Sequence, residues 1–300
     1  MRYRFLSIIA VIIFILTACS GSKKENETKT VFTDDSVEVI MPEVPENITD
    51  PKERADYLAM HFWDNLDFKD TVKTHNSAFI EQNFSNYVAI LGLTSGSAVN
   101  IDGFSQLMKK AETDRKAYDL ILETSEKYLY DPNSPMLSEA LYIDFLQSLM
   151  KSNYLNADEK EKYSYQLTQA MKNRPGMQAT DFTYTTLDGE EKTLRESLPQ
   201  NELMLIFFDP ECEHCDEILG KLMENPRLTE DIQTGKISVL AVYAGENKDA
   251  WKKKGATRPK SWTVGINQNI NDDELYYLPA MPTIYILDKN GVVIEKDLQI

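Results

Sequence analysis

The sequence predicts an α+β protein in two unlike parts: an N-terminal all-α helical domain over residues 44–174 and an α/β domain over residues 175–300. Three observations carry this. Apolar residues recur at helical spacing from Asp50 to Lys172, and the pattern breaks at Arg174-Pro175-Gly176. Beyond the break come short unbroken apolar runs, Leu203 to Phe208 and Ile237 to Tyr243, of the kind found in strands buried on both faces, with a helical stretch between them. With 300 residues, 42% of them apolar and 10% aromatic, the chain can build a core in each part. A formal charge of −16 excludes extended contact with a nucleic-acid backbone, which needs an excess of Lys and Arg.

Residues 1–19 have the layout of a signal peptide. Arg2 and Arg4 are followed by the apolar run Phe5 to Leu16, which is too short to span a bilayer comfortably, and then by Leu16-Thr17-Ala18-Cys19. These four residues resemble the lipobox of bacterial lipoproteins. The resemblance implies cleavage before Cys19 and a lipid on its thiol, and so a chain held to a membrane of the cell envelope. Residues 20–43 are polar and charged and read as a flexible tether. Ser20 after the cysteine fits the outer membrane better than the inner, with surface display a further possibility.

The helical domain opens at Asp50-Pro51-Lys52-Glu53, which combines an N-cap, a proline at the first helical position and an acid in the first turn. Further periodic stretches run from Phe79 to Leu91, Phe104 to Leu129, Ser134 to Leu149 with Ser134-Pro135 opening it, and Ala157 to Met171. Five or six helices are expected. Their Tyr and Phe residues read as core. His61 and His75 stand without a metal-ligand partner nearby in the sequence.

In the α/β domain, Asp181 to Thr185 and Glu191 to Leu194 flank Asp188-Gly189 as a β-hairpin. The order expected after it is strand, helix, strand, helix, strand, strand. The first helix is Cys212 to Glu224 and the second Lys248 to Lys254. The last two strands, Thr283 to Leu287 and Val292 to Glu295, are joined through Asn290-Gly291. A central parallel pair with an antiparallel edge follows from this order.

With Cys19 consumed by lipid, the remaining two of three cysteines form one C-x-x-C, Cys212-Glu213-His214-Cys215. Cys212 follows a buried strand and starts a helix, where free N–H groups favour a thiolate, the form that attacks a disulfide. It is the expected nucleophile. Cys215, one turn on, is the expected resolving thiol. Half of a zinc site is the competing reading, but no second C-x-x-C or His pair occurs in the sequence to complete four ligands. Covalent haem would need a histidine where Asp216 stands. No metal and no cofactor is expected.

Asp181-Phe182-Thr183, the run Leu205 to Cys215, and Ala280-Met281-Pro282-Thr283 with Asn290-Gly291 resemble the TlpA/ResA-type thioredoxin family over roughly residues 176–298. That resemblance implies a thioredoxin-like fold, a cis proline at Pro282 beside the dithiol, and a substrate polypeptide pairing with the backbone of Met281. It also implies a thiol-disulfide oxidoreductase that acts on disulfide-containing exported polypeptides and draws on an upstream membrane or periplasmic thiol donor. Two departures stand out. Ile206 occupies the position of the family's buried acid, leaving Glu211, Glu213 or water as the relay. The sequence also stops after the last hairpin, without the terminal helix that usually covers one sheet face, and the helical domain is expected to cover it. The upstream region resembles uncharacterised helical domains fused to such modules in Bacteroidetes-type lipoproteins. The peroxidase pattern P-x-x-x-T-x-x-C is absent, since Leu205 and Asp209 stand at its Pro and Thr positions.

His214 between the cysteines is similar to strongly oxidising sites, whereas Asp209, Glu211, Glu213, Asp216 and Glu217 around the pair disfavour a thiolate. From Gly176 to Ile300 there are 22 acids against 13 Lys and Arg. The balance predicts a disulfide reductase. The alternative is a non-catalytic binding lipoprotein with a structural Cys212–Cys215 disulfide.

Overall fold

The computed structural model describes residues 40–270 and 274–296. Cys19 and most of the expected tether lie outside the described residues. Ile40 is buried, its N–H donating to Asn83 Oδ1 at 3.2 Å and its carbonyl accepting from Asn65 at 3.3 Å. The folded part therefore reaches back at least four residues into the stretch expected to be tether.

The helical region comprises α1 (Pro51–His61), a 3₁₀ turn at Phe62–Asn65, α2 (Thr71–Thr74), α3 (Ser77–Leu91), α4 (Ser97–Ala111), α5 (Arg115–Leu129), α6 (Glu139–Met150) and α7 (Ala157–Ala170). Asp50 caps α1 by accepting from the N–H groups of Lys52 and Glu53. Two expectations are corrected. The stretch from Phe104 to Leu129 is two helices, broken where the Asp114 carboxylate caps α5 and also meets His75 at 2.8 Å. Ser134-Pro135 does not open α6: the Ser134 hydroxyl turns back to the Tyr128 carbonyl, and the helix starts after Ser138, whose side chain caps it. His61 faces Asp64 at 2.7 Å.

The core between these helices is aromatic, with Phe62, Phe84, Tyr87, Phe104, Tyr118, Tyr142 and Phe145 all essentially inaccessible. Close approach of α4 to α1 requires Gly103. A Cβ there would fall 2.6 Å from Tyr87 Oη and 2.8 Å from the Ala59 carbonyl that this hydroxyl donates to.

The α/β part holds β1 (Thr183–Thr186), β2 (Glu191–Thr193), β3 (Glu202–Phe208), α8 (Glu213–Glu224), α9 (Pro226–Gln233), β4 (Ile237–Ala244), α10 (Lys248–Gly255), β5 (Trp262–Asn267), β6 (Thr283–Leu287) and β7 (Val293–Lys296). They build one sheet in the order β2-β1-β5-β4-β3-β6-β7, with β3, β4 and β5 parallel and the flanking pairs antiparallel. The parallel centre thus has three strands, not two. β5 is not among the expected strands, although Trp262, Val264 and Ile266 alternate along it and Gly265 falls on its other face. The glycine is needed there, since a Cβ would lie 2.3 Å from the Tyr184 ring on β1. The short α9, opened by Asn225-Pro226, is likewise unforeseen.

β3 is buried along both faces. Met204, Ile206 and Phe208 point to the layer formed by α8, α9 and α10, while Leu203, Leu205 and Phe207 point to the other side. That other side is covered by Phe182, Tyr184 and Leu194 of the hairpin and by a segment carrying Ile270 and Tyr276. Neither apolar cluster of the sheet includes a residue of α1 to α7. The helices instead grip the segment from outside. Glu274 accepts from Gln169 and Lys172, Asn173 donates to the Leu275 carbonyl, and the Tyr130 and Tyr277 hydroxyls are hydrogen bonded. Glu139 pairs with Lys296 at the end of β7. No helix among the described residues is long and apolar enough to cross a membrane.

Gly103→Ala should destabilise the protein by about 1–3 kcal/mol, the cost of overpacking a close helix contact. Urea denaturation read by circular dichroism measures this, and an unchanged midpoint would show that α1 and α4 can part without loss.

Candidate active site

The site grows out of the end of β3. The chain leaves the buried strand at Phe208 and turns at Asp209-Pro210, where the Asp209 carboxylate accepts the Glu211 N–H at 2.8 Å and its carbonyl accepts the Cys212 N–H at 3.3 Å. Cys212 is the N-cap of α8. In extended conformation, its Sγ accepts the Cys215 N–H at 3.3 Å, in the position where Ser, Thr, Asp or Asn usually caps a helix. The sulfur therefore sits at the positive end of the helix dipole.

The two thiols are free and differ in setting. Cys212 is half-buried. Cys215 is fully buried among Ile218, Leu219 and the sheet. Burial pushes the Cys215 thiol up to about 12; backbone hydrogen bonding at Asp209 works against this, while the nearby Cys212 and the Asp209 charge add to it. Across from the pair, the Met281–Pro282 peptide is cis, and the Met281 carbonyl lies 4.0 Å from Cys212 Sγ. The chain thus brings Cys212, Cys215, Met281 and Pro282 together, although the two pairs are 66 or more residues apart.

The residues expected to tune the site divide. Glu211 is held by the Asn247 amide at 3.1 Å, and Glu213 is exposed. His214 is also exposed, its Nδ1 3.9 Å from Glu217. Asp216 and Glu217 are engaged by cations. Lys254 beside Asp216 holds its carboxyl below the usual carboxylate range, with Arg258 adding to the effect at 3.1 Å, and Lys221 does the same for Glu217 at 2.8 Å. Arg258 was not foreseen. Its side chain is 4% exposed and lies 5.7 Å from the Phe208 ring centroid, so it links the end of β3 to the first turn of α8. Only a long-range charge match could have flagged it. Ile206, at the position of the family's buried acid, is fully buried and apolar. Among the described residues, no cluster of three or more metal-capable side chains occurs.

A dithiol at the start of the helix that follows a central buried strand, facing a cis proline, defines a thioredoxin-like module. A family model described as a thioredoxin-like domain matches residues 189–297, and one described as a domain of unknown function (DUF5106) matches residues 18–173. The chain belongs to this thioredoxin-like family and carries that N-terminal domain ahead of the module. It is 30% identical over 125 residues to the thioredoxin-like protein YneN of Bacillus subtilis, a match covering 39% of this chain and 68% of that one. It is 25% identical over 121 residues to the thiol-disulfide oxidoreductase ResA of Bacillus cereus, covering 40% and 68%. A crystal structure of a thioredoxin-like protein from Bacteroides caccae aligns with a TM-score of 0.80 at 34% identity, over 86% of this chain and 94% of the other. Helical region and module are therefore shared with that protein.

In the reduced protein beginning at Ser20, iodoacetamide at pH 8 should modify Cys212 alone, with Cys215 reacting only after denaturation. Peptide mapping by mass spectrometry reads this, and equal labelling of both thiols would contradict the asymmetry.

Proposed function

We propose that the protein is a lipid-anchored, extracytoplasmic disulfide reductase in which Cys212 is the nucleophile and Cys215 the resolving thiol. The observation that carries it is the placement of Cys212 Sγ: half-exposed, accepting an N–H at the start of α8, and beside the Met281 carbonyl, with the second thiol buried behind it. An acceptor position at a helix N-terminus suits an anionic sulfur.

The Cys212 thiolate attacks one sulfur of a substrate disulfide. The substrate S–S bond breaks, its other sulfur leaves as a thiolate and is protonated, and a mixed disulfide to Cys212 forms. Cys215 then loses its proton and attacks Cys212 Sγ, releasing the second substrate thiolate and closing Cys212–Cys215. Two electrons pass to the substrate, and an upstream thiol donor must return them. With Ile206 where a buried acid would stand, the Cys215 proton passes to water or to an acid beside the pair, of which Asp209 is one whose charge reaches the thiol. The backbone of Met281, ahead of Pro282, is the edge on which the substrate polypeptide pairs.

The direction follows from the charges. Of the five acids around the dithiol, Asp216 and Glu217 are neutralised by cations, whereas Asp209, Glu211 and Glu213 have no cation within ion-pair distance among the described residues. Three acids without a cation partner against one exposed His214 leave the surroundings of the dithiol net negative, which counts against a strongly oxidising pair. The anchoring part of the proposal is supported by Leu16-Thr17-Ala18-Cys19, whose likeness to a lipobox favours a position in the cell envelope, facing the periplasm.

The protein beginning at Ser20 should catalyse insulin reduction by dithiothreitol, and Cys212→Ser should abolish it. Absence of turnover in the parent would favour a binding protein with a structural disulfide. The dithiol potential, from equilibration with glutathione redox buffers, should lie between about −200 and −300 mV, near the glutaredoxins and thioredoxin; a value near about −120 mV would make the protein an oxidant.

A further inference from the structure

Beside the dithiol lies a cleft of about 550 Å³, walled on one side by the α5–α6 connection of the helical region and on the other by α8 and the segment carrying Met281 and Pro282. Its volume is within the range of specific ligand sites, about 300–1,000 Å³. We propose that this cleft is a substrate subsite that takes a bulky apolar side chain, aromatic or long aliphatic, lying within two residues of the cysteine under attack. The proposal rests on the reductase reading and names the substrate class for it: extended polypeptide segments with an apolar residue next to the disulfide cysteine.

Continuity with the reacting sulfur comes first. His214 and Met281 both line the cleft; His214 is two residues beyond Cys212, and the Met281 carbonyl is 4.0 Å from its Sγ. A polypeptide joined to Cys212 extends about 3.3 Å per residue, so its near neighbours reach the mouth. The chemistry of the lining comes second. Tyr142 and Tyr277 each stack with Tyr130, with ring centroids 4.8 and 6.4 Å away, and Leu137, Ile218 and Pro282 add apolar surface. The charges at hand are already matched, Lys221 by Glu217 and Glu139 by Lys296. An apolar guest suits such walls better than an ion.

The walls are also fixed relative to each other. The Tyr130 and Tyr277 hydroxyls bond to each other and so link the two walls, and the Glu139–Lys296 pair ties α6 to β7. A pre-formed cavity spares a guest the cost of ordering it. A small disulfide such as glutathione's has no side chain to fill it, so the helical region acts as a selectivity wall for polypeptide substrates.

The test uses the protein from Ser20 with Cys215→Ser, which stops the reaction at the mixed disulfide. The probes are symmetric disulfides of hexapeptides in which one phenylalanine is moved through the two positions on each side of cysteine, with an all-alanine control. Cys212 attacks one peptide sulfur and the second peptide leaves as its thiol; mass spectrometry of the adduct gives the rate constant. The best phenylalanine peptide should react at least about tenfold faster than the control, the size expected for burying one such side chain. Leu137→Asp, and Asn133→Trp at an exposed position of the wall, should each bring that ratio to within about twofold of one, with thermal melts confirming that both fold. A parent ratio below about twofold overturns the subsite, as does a parent ratio that survives in both variants. Failure of every peptide to react overturns the reductase reading and the subsite with it. That outcome is read from absolute rates, so it cannot be mistaken for indifference between peptides.

Discussion

Burial of β3 on both faces is the constraint from which the site follows. Flanked by β4 and β6 and covered on each side, the strand is apolar from Leu203 to Phe208, including Ile206 at the position of the family's buried acid. The chain recovers polar surroundings only at Asp209, and the turn at Pro210 delivers Cys212 to the start of α8. A sulfur then serves as N-cap, and the helix's own N–H group holds it. The same burial encloses Cys215 and keeps its proton on, which separates an attacking from a resolving thiol without any further device.

Charge around the pair is organised by helix geometry more than by composition. Glu213 and Asp216 both lie in the first turn of α8, where negative charge stabilises the helix end. Asp216, however, meets Lys254 at the end of α10 and Arg258 just beyond, and Glu217 meets Lys221 one turn on. The exposed Glu217–Lys221 pair adds little stability. The effect of these ion pairs here is to remove two negative charges from the neighbourhood of Cys212, leaving Asp209, Glu211 and Glu213 to set its field.

Much of this was legible in the sequence, for reasons that can be located. The unbroken run Leu203 to Phe208 has no reading but a buried strand once Cys212 and the periodicity after it are counted. Asp188-Gly189 and Asn290-Gly291 mark hairpins because their turns need backbone conformations that these residues tolerate. What escaped depended on contacts distant in sequence. The need for a glycine at position 265 of β5 comes from Tyr184, a partner 81 residues earlier. Arg258 reaches Asp216 from a segment that carries no motif of its own. The break in Phe104 to Leu129 was marked only by Asp114, a residue that an exposed helix face would tolerate equally well. Nor could periodicity show that the second sheet face is closed by the hairpin and the segment around Tyr276.

That segment connects the two parts of the molecule. It packs on the sheet through Tyr276, whose ring meets Phe182, Phe207 and Tyr285 and whose hydroxyl donates to the Thr180 carbonyl. Its next residue, Tyr277, faces the other way and bonds to Tyr130 of the helical region. Four residues later comes Met281, the carbonyl beside Cys212. One short stretch of chain therefore closes a sheet face, docks the helices and sets the backbone against the reactive sulfur. Bare burial of the sheet would not need a tyrosine hydroxyl turned outward or a Glu274 held by Gln169 and Lys172. Those contacts fix the helical region relative to the dithiol, and a fixed wall beside a reacting sulfur restricts which substrates can lie there.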